Sequence, residues 1–170
     1  MDLAIKSTGN RELGAQLAAK GAARLDAREF LEMIKLKLKL AEASPKLCTG
    51  FWSGGLAGED FAAGLDALSD PDLHRWFQLS QRAMRLQLYA TTPLPRFPGQ
   101  ALTDGISEIK NTLPPAASDT LSKTMTAGVA APPDAACQAY LQLTRGGLRL
   151  PDAQRDAFLR AMTFDSLVDW

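Results

Sequence analysis

Valine occurs twice in this chain, at Val129 and Val168, and isoleucine four times, at Ile5, Ile34, Ile106 and Ile109. Strands draw on β-branched residues, so this scarcity argues against a sheet. Alanine and leucine dominate instead, together with arginine, glutamine and glutamate, all good helix formers. The expected fold class is all-α.

Histidine is scarcer still. His74 stands alone, which excludes a His–His metal site within one chain. Two cysteines, Cys48 and Cys137, are too few for a zinc set. No cofactor is expected. No apolar run is long enough to span a bilayer. No basic n-region followed by an apolar stretch opens the chain. A membrane link is therefore expected only through an anchor removed upstream of Met1. Formal net charge is zero, without the basic excess of a nucleic-acid surface, so no nucleic-acid partner is expected.

What is present starts with the cysteines. Cys48-Thr49-Gly50-Phe51 and Cys137-Gln138-Ala139-Tyr140 each place an aromatic residue three positions on, and a Gly-Gly-Leu follows each. The matching phrases favour a Cys48–Cys137 bridge between two helical halves over two buried free thiols. By chain entropy so long a loop gives about 4 to 5 kcal/mol of stabilisation. A bridge points to an oxidising compartment such as the periplasm, hence an exported protein. A cytoplasmic protein with free thiols is the alternative.

About six helices are expected in a single domain. Residues 1–22 read as a mobile arm in which 11–20 can form a short helix, 23–90 as a first half, 91–131 as a connector with short helices, and 132–170 as a second half. Asp26, with Glu29 three residues on, marks a helix start. Pro45 ends that helix. Within it Ile34-Lys35-Leu36-Lys37-Leu38-Lys39-Leu40 alternates like a strand. On a helix it gives a second apolar stripe of Met33, Leu36 and Leu40, to be packed between neighbours or offered to a partner. Ser69-Asp70-Pro71-Asp72 is a strong start signal. The helix after it is expected to turn Leu73, Trp76, Phe77, Ser80, Met84 and Leu88 inward. Gly146-Gly147 is expected to break the second cysteine helix. The apolar end, including Trp170, suits docking.

Chemistry is hard to find. Asp70 lies one turn before His74, but Ser53 has no nucleophile-elbow frame and Ser80 falls on the expected core face. Gly50-Phe51-Trp52-Ser53-Gly54-Gly55 lacks the Lys-Ser/Thr of a phosphate loop. The expected role is therefore a non-enzymatic helical interaction module, such as a bacterial envelope adaptor, inhibitor or toxin-neutralising protein, with a protein partner or self-association. Phe51, Trp52, His74, Trp76, Leu36, Leu40 and Trp170 are its candidate pocket or interface residues. The alternative is a small-molecule binder or weak hydrolase with an aromatic pocket near Trp52, Trp76 and His74.

Overall fold

The structure, a computed structural model, describes residues 13–54 and 58–164. These are all-helical, without strands. Nine α-helices lie among the described residues, where about six were expected. Helix α1 covers residues 13–22. It is followed by α2 (Ala27–Ala43), α3 (Pro45–Ser53), α4 (Gly58–Leu65), α5 (Asp70–Leu88), α6 (Gly99–Thr112), α7 (Pro115–Ala127), α8 (Pro133–Arg149) and α9 (Asp152–Phe164). A 3-10 turn, Gly128–Ala130, joins α7 to α8.

The caps follow local chemistry. The Asp26 side chain accepts from the Glu29 N–H at 2.8 Å and opens α2. Ser44 accepts from the Leu47 N–H, with Pro45 in the first turn of α3. Ser69 accepts from the Asp72 N–H and opens α5. Each cap satisfies an amide that has no acceptor within its own helix.

Two expectations about segments need correction. Residues 13–22, read as a mobile arm with a short helix over 11–20, form α1, and this helix is docked on α5 rather than loose. Gly21 lies against the Ala83 backbone carbonyl so closely that a side chain has no room, and Ala22 and Ala23 are buried. Residues 1–12 lie outside the described part. The expected connector carries two full helices rather than marginal pieces. Helix α6 packs on α8 and α9, burying Gly105 and Ile109. This tertiary packing supplies what short, polar helices lack in isolation.

The strand-like Leu/Lys run is helical. Met33, Ile34, Leu36 and Leu40 are all buried within α2. The second stripe is thus packed between neighbours, because α2 touches α3, α5, α8 and α9. Leu36 and Leu40 belong to the core and are not offered to a partner.

Gly146-Gly147 does not break α8, which continues to Arg149. Both glycines instead allow close approach. A Cβ on Gly147 would meet Phe158 at 2.5 Å, and one on Gly146 would meet Ile109 at 2.7 Å. Gly105 of α6 meets the same Phe158 ring. Phe158 is fully buried between these glycine faces. By contrast Gly54, at φ +72°, does end α3, in a backbone region that favours glycine. The two cysteine phrases therefore fold differently after their first turn.

Candidate interaction surface

Cys48 and Cys137 form a disulfide that ties α3 to α8, with Cα atoms 5.0 Å apart. Ala41, Tyr140 and Leu141 are buried around it, with Phe51 and Trp52 packed alongside. Phe51 stacks on Tyr140 at 5.5 Å. The Trp52 indole N–H donates to the Gly128 carbonyl at 2.9 Å, fixing α3 to the turn after α7. Both aromatics are thus committed to the seam between the halves. Burial raises the Tyr140 phenol well above its ordinary range, and the Thr144 hydroxyl opposes this in part.

Lys37 of α2 projects toward the same seam. Its ammonium lies 5.9 Å from the Phe51 ring centroid, a cation–π contact. The residue is half-buried, and burial lowers its pKa to about 8, because desolvation disfavours the charged form.

Beside the disulfide a cleft of about 740 Å³ is lined by Lys46, Thr49, Ser53, Asp60, Asp134 and Cys137, among others. Lys46 and Asp60 face each other across it at 3.4 Å. Neither Trp52, Trp76 nor His74 lines this cleft. Trp76 is buried against Phe61 of α4, with ring centroids 5.5 Å apart. His74 is exposed on α5, its Nε2 2.9 Å from the Gln78 amide nitrogen. Each of the three thus has a different partner: Gly128 for Trp52, Phe61 for Trp76 and Gln78 for His74. Among the described residues no group of three His, Cys, Asp or Glu side chains could hold a metal ion. Among them no helix is long and apolar enough to cross a membrane. Trp170 lies outside the described residues.

The face that does stand open belongs to α5. Its inward row is Trp76, Leu79 and Ala83, not the row through Phe77 and Leu88. Phe77 is 49% exposed, Leu88 61% and Tyr89 78%. On a 3.6-residue helix, Phe77, Met84 and Leu88 follow one side at i, i+7 and i+11. At the N-terminal end of α1, Gly14 lies beside Met84, and its neighbour Leu13 is 55% exposed. Searches of family models, curated proteins and solved structures find no match to this chain.

Ion pairs hold α5 so that this side faces outward. Lys39 of α2 meets Asp72 at 2.6 Å. The Lys39 and Ser69 contacts hold the Asp72 carboxyl below its ordinary range. Arg75 Nε donates to Glu32 at 2.7 Å. Arg82 lies 3.7 Å from Glu29. All three bridges join α5 to α2 along one flank, leaving the Phe77–Leu88 side untouched. Periodicity alone missed this, because large residues outweighed small Ala83 in placing the inward face.

Proposed function

We propose that the protein is a non-enzymatic interaction module whose partner docks on the outward side of α5. The observation that carries this reading is the exposed row of Phe77 and Leu88, with Tyr89 at the helix end. Isolated apolar residues on a surface need no explanation, but several along one helix mark a contact face. Aromatic residues are enriched at the centres of such contacts. The ion pairs to α2 pre-organise the face, which lowers the ordering cost of binding.

The disulfide supports an oxidising compartment, consistent with an exported bacterial protein acting in the envelope as adaptor, inhibitor or toxin-neutralising partner. Counting thiols under denaturing, non-reducing conditions, in protein taken from its native compartment, tests that placement. Two reactive thiols would refute it.

The docking reading is tested by affinity capture from the host with the native protein and the Phe77→Ser/Leu88→Ser variant. A partner identified with the native chain, rebinding when purified and lost in the variant, is the expected result. A purified partner that binds both forms equally would refute the α5 assignment. Unchanged helical circular dichroism in the variant separates lost binding from lost folding.

A further inference from the structure

Lys37 differs from the lysines around it. Lys39 of α2 is paired with Asp72, and Lys46 of α3 with Asp60. Lys35 is exposed. Among the described residues Lys37 has neither a hydrogen bond nor an ion pair, and the partner of its ammonium is the Phe51 ring, 5.9 Å from Nζ. Its side chain leans into the seam where α2 meets α3 and α8 and where Phe51 stacks on Tyr140. The amine is nevertheless not sealed. Among the described residues the one buried side-chain nitrogen or oxygen without a hydrogen-bond partner is Glu29 Oε2. The unbonded Lys37 Nζ therefore keeps contact with solvent.

This geometry is that of a nucleophilic amine. An amine attacks only when its nitrogen is free of the extra proton, and a carboxylate beside it holds that proton on. Lys37 has no such carboxylate, and its apolar surroundings disfavour the ammonium. Desolvation lowers its pKa to about 8. A sizeable fraction is then neutral at about pH 7.5, where an ordinary lysine has almost none.

We propose that Lys37 is a site of covalent acylation, taking small acyl groups from activated donors of the acyl phosphate class. The neutral nitrogen adds to the donor carbonyl carbon and forms the C–N bond. The C–O bond to phosphate breaks, phosphate leaves with the electron pair, and the surplus amine proton passes to water. The amide product is uncharged, so the seam that disfavours the ammonium places no charge penalty on it. An aldehyde would instead give an imine that regains charge on protonation, which this setting resists.

The test uses the full disulfide-bonded chain with limiting acetyl phosphate at about pH 7.5, and fragment-ion mass spectrometry resolves Lys35, Lys37 and Lys39. In the folded protein Lys37 is expected to be acetylated about tenfold faster than exposed Lys35. In urea sufficient to unfold the chain the two rates should become equal, because both side chains are then solvated alike. Phe51→Ser, which admits water to the seam, should bring the Lys37 rate toward that of Lys35, with circular dichroism reading the helical fold. A folded-state rate for Lys37 at or below that of Lys35 would overturn the proposal. So would a preference that survives in urea, or one left unchanged in folded Phe51→Ser. If Phe51→Ser does not fold, the native and urea rates decide.

Discussion

Arg160 lies buried on α9, where it chelates both oxygens of Asp156 at 2.8 and 2.9 Å. It also donates to the Ala23 and Leu25 carbonyls at 3.1 and 2.9 Å. Its guanidinium stacks 4.4 Å from the Phe30 centroid. One planar cation with five donors thus joins α9, the turn after α1 and the start of α2. Arg160→Met should cost about 2 to 4 kcal/mol, because the two carbonyls lose a buried donor. Urea unfolding followed by circular dichroism measures it, and a loss under about 0.5 kcal/mol would refute the role. The Asp156–Arg160 spacing was visible in the sequence, but it reads equally as an exposed i,i+4 pair.

Lys37 gives a residue-scale prediction with a sign. Its folded pKa, about 8, lies below the ordinary value of 10.5. Between those values the unfolded chain binds more protons, so stability rises with pH there. Below about 8 both states are protonated and burial of the charge disfavours folding throughout. Lys37→Met should therefore be more stable than the native chain at pH 7, and the gap should narrow by pH 10. A pH-independent gap in denaturation midpoint would count against it.

At the scale of elements, α8 and α5 teach opposite lessons. In α8, alanine has a higher intrinsic helix propensity than glycine by about 1 kcal/mol. Even so, Gly147→Ala should destabilise by about 1 to 3 kcal/mol, since its methyl meets Phe158 and Leu159 in a filled core. Gly58→Ala, with open space around it, provides the comparison and should be near neutral. Thermal melts of the two variants decide, and equal melting temperatures would refute the packing role. The Gly-Gly pair was legible in the sequence, but its meaning depended on which ring lay opposite. In α5 the start at Ser69 and Pro71 was readable from local chemistry. The inward face was not, since apolar residues surround much of the helix. Contact with α1 and α2 resolved it in favour of Leu79 and Ala83. Phe77→Ser and Leu88→Ser should accordingly leave stability within about 0.5 kcal/mol, as surface substitutions do.

Across the whole molecule, the disulfide joins segments 89 residues apart. It acts on the unfolded chain by restricting the ensemble that folding must order. Cys48→Ala/Cys137→Ala should lower stability by about 4 to 5 kcal/mol in the chain-entropy account. Reduction of the native protein should lower its denaturation midpoint in parallel. A midpoint unchanged by either treatment would show that helix packing alone fixes the seam. The expected two halves are bridged, yet they also interleave. Helix α2 touches α8 and α9, and the former connector helix α6 packs on both.

Helix as the sole regular element among the described residues, the starts at Asp26 and Ser69 and the cysteine pairing were all present in residue choice and spacing. These are local properties: propensity, capping and periodicity act within a few turns of chain. The close-packed glycines around Phe158, the buried Arg160 and the open side of α5 emerged with the assembled fold. Each is a relation between distant segments, and no spacing along one helix states which neighbour will cover which of its sides.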